Sequence, residues 1–377
     1  MLALLALIGC APQVQQQPLR PPGAPWAGGA TVVPPGQTGI ARQRVGLLLP
    51  LTGANAALGH SMLNAAQLAL FEQADARVEF LPRDTRSSAA GAADAARAAL
   101  SDGATVLVGP LTLGETAAAA AAARAAGAPV LSFTSDEGQG GNGVWVLGIT
   151  PTQVARRLAG TAMAGGARRI GVLGADDEFG RRIAAALRTA LAGAGLPAPV
   201  VVLTRPGADA MQNGRDFATR AAAEGGVDAV VLTQSGLPAR LAAQGLAAAG
   251  LATPPRILGT HLWSGDNQLG QEPALAAAAF AGPDPEVRDA FERRYQEAFG
   301  SRPPRLSGTA YDAAALAARA ARDGGRSLPV GEAFQGADGP IRLMPDGTLA
   351  RGMAILEIRR GEIVVREPAP IPGAAGT

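Results

Sequence analysis

Lysine is absent from the 377 residues, so all 33 basic side chains are arginines. A P-loop, a Schiff-base site and a protein-kinase site each need a lysine, and the sequence therefore excludes all three. The chain also has one cysteine and two histidines. An internal disulfide and a cysteine zinc site are thereby excluded, and little remains to bind a metal. We therefore expect no cofactor.

Charge is nearly balanced, with 33 basic and 31 acidic residues and a net charge of +2. The arginines are scattered singly or in pairs such as Arg156-Arg157, and they form no basic stripe. This distribution does not favour a nucleic acid as partner. Hydrophobic residues make up 47% of the chain, which is enough for a large packed core, and the length suggests about two domains.

The chain begins with an apolar run that ends in Leu7-Ile8-Gly9-Cys10 and contains the single cysteine. This run resembles the lipobox of bacterial lipoproteins, in which a peptidase cuts before the cysteine and lipid chains are joined to it. The resemblance implies that residues 1–10 are a signal peptide and that Cys10 anchors the protein to a membrane outside the cytoplasm. Ala11 is not the aspartate that retains some lipoproteins at the inner membrane, which favours the outer membrane. The alternative is an apolar N-terminus without this role.

Residues 11–43 are rich in glutamine, proline and glycine and lack a periodic apolar pattern. They are predicted to be a flexible linker between the lipid and a folded body, and residues 369–377 are predicted to be a tail.

From Arg44 onward, short apolar runs alternate with helical patterns. Arg44-Val-Gly-Leu-Leu-Leu-Pro50 predicts a buried strand and 57–74 a helix, and this alternation continues to about residue 133 and restarts after 148. Apolar strands that alternate with helices are typical of a parallel sheet covered on both faces. The predicted fold class is therefore α/β, with two doubly wound Rossmann-like halves. Antiparallel strands are predicted near the C-terminus.

Polar loops follow several of the predicted strands. In open α/β sheets, ligands bind beyond the carboxyl ends of the strands. Hydroxyl groups at such ends can join backbone N–H groups in holding a carboxylate or an amide. Four candidates result, Thr112, Ser132, Thr134 and Ser135. The alternative is that each hydroxyl only caps a helix or stabilises a turn, and Thr112 does form a predicted capping box with Glu115.

Several stretches resemble the type I periplasmic binding proteins, the leucine-binding-protein-like superfamily. They are Arg44–Gly53 with Gly59, Val106–Pro110, Pro129–Thr134, Ala175–Gly180 and Ser307–Asp312. The resemblance implies two lobes that are joined by three crossovers and separated by a central cleft. It also implies that residues 44–149 plus 278–330 form one lobe and residues 150–277 plus 331–368 the other.

The resemblance leaves two branches of this superfamily as alternatives for this chain. One contains receptors that deliver amino acids to ABC transporters, and the other contains the penicillin-binding protein activators, lipoproteins of the LpoA/LppC type. Leu47–Gly59, Leu81–Thr85 and Asp338–Gly347 look closer to the activators. An amino-acid receptor needs an acidic residue for the ammonium group of its ligand, and in the expected region only Asp266 could serve.

Both branches imply a non-catalytic protein of the periplasm. The favoured function is an activator whose partner is a penicillin-binding protein. The alternative is the substrate-binding protein of an ABC transporter for branched-chain amino acids or amides, whose partner is the permease. Whether a small-molecule ligand occupies the cleft stays open at this point.

Overall fold

The computed structural model of the protein describes residues 42–73, 75, 77–323, 327–359 and 361–373. The predicted lipidation site Cys10, the signal peptide and nearly all of the predicted linker lie outside the described residues. Within the described part of the chain, no helix combines the length and the apolar character needed to cross a membrane.

The described residues alternate between helices and strands, as the apolar pattern predicts. The α-helices are α1 (Ala56–Gln73), α2 (Ala89–Ser101), α3 (Leu113–Ala126), α4 (Pro151–Ala164), α5 (Glu178–Gly193), α6 (Ala210–Ala223), α7 (Gly236–Ala248), α8 (Pro285–Phe299) and α9 (Ser307–Arg322). The strands are β1 (Gln43–Leu49), β2 (Val78–Asp84), β3 (Ala104–Val108), β4 (Val130–Ser132), β5 (Val144–Val146), β6 (Ile170–Ala175), β7 (Val200–Thr204), β8 (Ala229–Leu232), β9 (Arg256–Gly259), β10 (Ala279–Gly282), β11 (Ala333–Gly336), β12 (Gly339–Leu343), β13 (Leu349–Arg351), β14 (Ala354–Arg359) and β15 (Glu362–Glu367).

The first sheet is parallel and has the strand order β2-β1-β3-β4-β5. Successive side chains of a strand point to opposite faces of the sheet. Val45, Leu47 and Leu49 accordingly pack in the core on the side of α1 and α9, whereas Leu48 packs in a second core with α2 and α3. Both faces are thus covered by helices, which explains why β1 is apolar at nearly every position.

The second sheet has the strand order β15-β14-β10-β9-β8-β6-β7. Strands β6 to β10 run parallel, and the C-terminal strands β14 and β15 are added antiparallel at one edge. Two cores cover its faces, one formed with α4 and α5 and the other with α6 and α7. The antiparallel pair β14–β15 confirms the antiparallel strands predicted near the C-terminus.

The chain passes between the two sheets three times, after β5, after β10 and after β13. We call the first sheet with α1–α3, α8, α9 and β11–β13 the first lobe, and the second sheet with α4–α7 the second lobe. The predicted boundaries, 278–330 and 331–368, differ from this arrangement. β10 pairs with β9 and β14 of the second sheet, while Ile341 and Leu349 pack in the first lobe. β10 was not expected because its four residues, Ala-Phe-Ala-Gly, include no β-branched side chain.

Candidate functional site

A cleft of about 1010 Å³ lies between the lobes, where loops at the carboxyl ends of strands from both sheets meet. The first lobe contributes the loops after β3 and β4, and the second lobe contributes the start of α5 and the loop after β9. The walls are largely apolar. They include Leu111, Phe133, Ile149, Phe179, Phe280 and Leu356.

Thr112 lies on the cleft and is the N-cap of α3. Its hydroxyl oxygen accepts a hydrogen bond from the N–H of Glu115 at 3.3 Å, and its own N–H donates to the Glu115 carboxylate at 2.9 Å. The predicted capping box is therefore confirmed. Glu115 is buried and also accepts a hydrogen bond from the Thr85 hydroxyl at 2.6 Å, so the start of α3 is fixed to the loop after β2.

The three candidate hydroxyls after β4 lie in different environments. Thr134 and Ser135 line the cleft, and the hydroxyl oxygen of Thr134 accepts a hydrogen bond from the N–H of Asp136 at 3.2 Å. Ser132 does not line the cleft. It is fully buried, and its hydroxyl lies 2.6 Å from that of Thr116. The difference follows from position along the chain, because Ser132 is the last residue of β4 and packs against Thr116 of α3, whereas Thr134 and Ser135 lie in the loop beyond the strand.

Asp266 does not line the cleft, although its neighbours Ser264 and Gly265 do. One carboxylate oxygen of Asp266 accepts a hydrogen bond from the N–H of Gln268 at 2.9 Å, and the other lies 3.6 Å from Arg240. The expectation that Asp266 holds an ammonium group in the cleft is thus not supported by its position. Gly265 has a φ of 85° and forms the turn after which Asp266 follows.

Charged side chains that the sequence did not single out also line the cleft. Arg182 of the second lobe donates from Nη1 to the Asp136 carboxylate of the first lobe at 2.7 Å. Its Nε donates to Glu178, also at 2.7 Å. The Arg182 guanidinium holds the pKa of Asp136 below its usual value. We call this bridge between the lobes, formed by Asp136 and Arg182, the interlobe clasp.

A chain of ion pairs extends from the first lobe's interior to the cleft. Arg351 and Asp312 are fully buried and lie 2.9 Å apart. Arg351 also lies 3.9 Å from Asp338, which in turn pairs with Arg288 at 3.0 Å on the cleft wall. Burial raises the pKa of Asp312 to about 6 despite the neighbouring Arg351. The ion-pair chain lies between the segments that follow β10 and β13, where the chain crosses between the lobes.

Arg305 and His261 connect the lobes on another side of the cleft. Nη2 of Arg305 donates to the backbone carbonyl oxygen of His261 at 2.5 Å. The imidazole of His261 packs edge-on against Phe179 with 5.9 Å between ring centroids. Burial, reinforced by the charge of Arg305, lowers the pKa of His261 to about 4, so this side chain is neutral at pH 7. Its Nδ1 is buried and has no hydrogen-bond partner among the described residues.

None of these cleft charges had a recognisable signal in the sequence. Asp136 and Arg182 are 46 residues apart, and Arg305 and His261 are 44 apart. A single arginine or aspartate in a loop carries no period or motif, so its partner becomes visible only when the chain is folded.

Residues 42–362 match the profile of a periplasmic binding protein family. No curated protein sequence gives a significant match.

Solved structures with the same fold include a protein assigned to branched-chain amino acid ABC transport in Rhodospirillum rubrum. It is 23% identical, with a TM-score of 0.74 over 86% of this chain and 99% of that chain. The C-domain of LpoA from Haemophilus influenzae, described as a regulator of PBP1A, is 19% identical, with a TM-score of 0.69 over 86% of this chain and 99% of that chain. A leucine-binding protein from Thermotoga maritima is also 19% identical, with a TM-score of 0.59 over 88% and 99% of the two chains.

At these identities the solved structures establish the fold alone, which is the type I architecture of two lobes and a cleft that the resemblance implied. The family profile covers most of the chain in sequence, including both lobes and the cleft between them. The chain therefore belongs to the periplasmic binding protein family.

Proposed function

We propose that this chain is a non-catalytic, lipid-anchored protein of the periplasm that binds a penicillin-binding protein and favours its active conformation. In this proposal Cys10 carries the lipid, the outer membrane holds it, and peptidoglycan synthesis is the process regulated. Activation of this kind requires tighter binding to the active state of the enzyme than to the inactive state.

The observation that carries the proposal is the pairing of the carboxylates around the cleft. Four of the five that line it form ion pairs with arginines, namely Asp136, Glu178, Glu292 and Asp338. The fifth, Asp289, is exposed to solvent. An ammonium group that is buried without an anionic partner is costly. Among the described lining residues, only the solvent-exposed Asp289 is left to meet an ammonium group, which disfavours an amino acid as ligand and supports a function that does not require one.

Solved structures of the same fold exist for both candidate functions. The LpoA C-domain, described as a regulator of PBP1A, aligns with this chain with a TM-score of 0.69, and the Rhodospirillum rubrum protein assigned to amino-acid transport aligns with a TM-score of 0.74. The stretches Leu47–Gly59, Leu81–Thr85 and Asp338–Gly347 also look closer to the activators in sequence.

Photocrosslinking in living cells tests the proposal. A photoreactive amino acid is placed at exposed positions of both lobes, one at a time, for example at Phe71 on α1 and Leu237 on α7. We expect photoreactive positions on one surface to form covalent adducts, and these adducts to bind labelled penicillin. Positions on the opposite surface are expected to form no such adduct. The absence of such an adduct from every position in both lobes would contradict the proposal. A Cys10→Ala variant is the control for the anchor, and we expect it to lose lipid labelling.

The alternative is the substrate-binding protein of an ABC transporter, with a permease as partner. One observation favours it, namely that Thr112, Thr134 and Ser135 border a large and mostly apolar cleft. Leucine, isoleucine, valine and short amides are tested for thermal stabilisation, since a ligand that binds only the folded state raises the melting temperature. A rise with one of these ligands, together with adducts to a permease, would replace the activator proposal with this one.

A further inference from the structure

Strand β15 leaves one edge of the second sheet open. It pairs with β14 on one side and is the last strand of the sheet on the other. Within the described part of the chain, its backbone bonds to no element except β14. An edge strand presents a row of unpaired N–H and C=O groups, to which another strand can be added.

The other edges of the two large sheets are better protected. β2 contains Pro82, which cannot donate a hydrogen bond to a neighbouring strand. In β5, the N–H of Val146 donates to the carbonyl oxygen of Gly347 at 2.9 Å, so the loop before β13 covers part of that edge. The apolar side chains of β7 are all at least partly buried and pack in the cores of the second lobe.

One face of β15 is apolar and lacks a covering element. Ile363 and Val365 lie beside Ile358 and Leu356 of β14, whose side chains belong to the core with α6 and α7. No residue of β15 packs in any of the four cores, and the exposed fractions of Ile363 and Val365 are 40% and 49%. The apolar surface of the sheet thus continues beyond its core, up to the open edge.

The order of side chains along β15 makes the strand complementary to itself. In a regular antiparallel pair, two residues that lie directly opposite either bond to each other or both turn their polar groups away. Two identical strands therefore meet about a two-fold axis that passes beside one residue and its copy. An axis at Val364 places Ile363 opposite Val365 of the second copy and Glu362 opposite Arg366 of the second copy. Apolar pairs then lie at the centre and opposite charges at both ends, and both kinds of pair stabilise a sheet.

The neighbouring positions of the axis give poorer pairs. An axis at Ile363 would place Glu362 opposite Val364. An axis at Val365 would place Ile363 opposite Glu367, and it would also rely on the part of β15 where the pairing with β14 becomes irregular.

Arg366 is available for a second carboxylate. Its Nη1 lies 3.6 Å from Glu357 of the same chain, but 26% of its side chain remains exposed. Glu362 is exposed at the other end of the strand. The charges that the axis at Val364 brings together are therefore both accessible from outside the molecule.

We propose that the chain forms a two-fold dimer in which β15 pairs antiparallel with β15 of a second copy, with the axis at Val364. The second sheet then continues from one copy into the other. This inference goes beyond the proposed function and does not depend on it, because the dimer requires neither an enzyme nor a ligand. The contact is short, so we expect a weak dimer with a dissociation constant in the micromolar range.

Cysteine crosslinking tests the register. The full chain carrying Cys10→Ala contains no cysteine, so a cysteine can be introduced at a single position. In Val364→Cys the two substituted positions lie opposite each other, with Cα atoms about 4.5 to 5.5 Å apart, which is within reach of a disulfide. We expect this variant to form a covalent dimer under mild oxidation with copper phenanthroline.

Ile363→Cys and Val365→Cys are the matched controls for the register. Each position lies diagonally from its own copy, at about 7 to 8 Å, which is too far for a disulfide. We expect much slower crosslinking of each control alone and rapid crosslinking when the two are mixed, because Ile363 and Val365 lie opposite each other across the axis.

Sedimentation equilibrium tests the dimer without a crosslink. The mass of the chain carrying Cys10→Ala should rise from 37.7 kDa towards twice that value as its concentration increases. Glu362→Arg places like charges opposite each other at both ends of the contact and should weaken the dimer about tenfold or more. Glu297→Arg is the matched control, because it makes the same change of charge at an exposed position of α8 in the first lobe, and it should leave the dimer unchanged.

Circular dichroism verifies that all variants are folded. A mass of 37.7 kDa at every concentration up to the millimolar range would overturn the proposal. Equal crosslinking of Val364→Cys and both controls alone, or an unchanged dimer in Glu362→Arg, would overturn it as well.

Discussion

At the scale of single residues, the ion pair of Asp312 and Arg351 has the lowest side-chain exposure of the ion pairs among the described residues. Asp312 accepts hydrogen bonds from the N–H of Ala337 at 2.7 Å and from Nη1 of Arg351 at 2.9 Å. Two other nitrogens of Arg351, Nε and Nη2, are buried without a partner among the described residues. The pair is therefore compensated in charge but incompletely hydrogen-bonded.

Removing Arg351 should leave a buried carboxylate without its counter-ion. We expect Arg351→Met to lower the free energy of unfolding by about 3 kcal/mol at pH 7.5, measured by urea denaturation. The loss should be smaller at pH 5. Asp312 has a folded pKa of about 6, above its unfolded value of 3.8, so stability linked to its protonation is present at low pH and lost as the pH rises through 6. The double variant Asp312→Asn with Arg351→Met should recover part of the loss. Equal loss at both pH values would contradict this account.

His261 should titrate far below an ordinary histidine. Since His60 is the only other histidine, histidine-selective NMR can follow both rings, and a His60→Gln variant assigns them. We expect a pKa of about 4 for His261, because burial disfavours the charged ring. The folded pKa is below the unfolded value of 6.5, so the related stability is present above pH 6.5 and lost as the pH falls towards 4. A midpoint near 6.5 would show that the ring is solvated.

At the scale of elements, the N-terminal cap of α3 is the feature that follows most directly from a sequence motif, the capping box of Thr112 and Glu115. Thr112→Ala should lower the free energy of unfolding by about 1 kcal/mol, because the N–H of Glu115 loses its acceptor. Thr219→Ala is the matched control. Thr219 is exposed within α6, and its hydroxyl bonds only the carbonyl of Arg215 one turn before it. We expect that control to change stability by less than about 0.5 kcal/mol in the same urea experiment. A similar loss in both variants would mean that the cap contributes nothing specific.

The elements themselves could largely be predicted from the sequence, because each apolar run or helical pattern is local. The capping box of Thr112 and Glu115 belongs to this class, since four residues define it. β10 was not predicted, because Ala279–Gly282 contains no β-branched residue. Its place in the second sheet also depends on pairing with β14, which is more than 70 residues away in the chain. The environment of single hydroxyls was harder to predict. Thr134 and Ser135 line the cleft, whereas Ser132, the last residue of β4, is buried against Thr116 of α3.

At the scale of the whole molecule, the interlobe clasp of Asp136 and Arg182 opposes separation of the lobes. Proteins of two lobes move by hinge closure around the connecting segments. Asp136→Asn should therefore shift the molecule towards wider separation, by up to about fivefold in population, because a partly exposed ion pair contributes about 1 kcal/mol or less. Asp94→Asn is the control, since Asp94 pairs with Arg86 within the first lobe.

Distance measurements between spin labels can determine this shift. With Cys10→Ala no cysteine remains, so labels can be attached through Arg97→Cys on α2 and Arg188→Cys on α5, both exposed. The distance distribution of Asp136→Asn should contain a larger fraction at long distances than that of the control. If the two distributions coincide, the clasp does not influence lobe separation.

Which surface meets a partner could not be predicted from the sequence or from the fold. Apolar patterns indicate only the faces that pack inside the chain. Asp266 illustrates this, because the family resemblance implied a cleft residue, whereas its carboxylate lies 3.6 Å from Arg240. The proposed activator function rests on the pairing of the cleft carboxylates and on relatives of similar fold, and its direct consequence is a change in an enzyme's rate.

That rate is the most direct test of the central claim. The full chain carrying Cys10→Ala is added to each purified penicillin-binding protein from the same cell, and glycan polymerisation and peptide crosslinking are measured. We expect a faster reaction with one of these enzymes, saturating with the concentration of added chain, and no change with the others. Unchanged rates with all of them, and no binding to any, would contradict the proposal that this periplasmic binding protein regulates cell-wall synthesis.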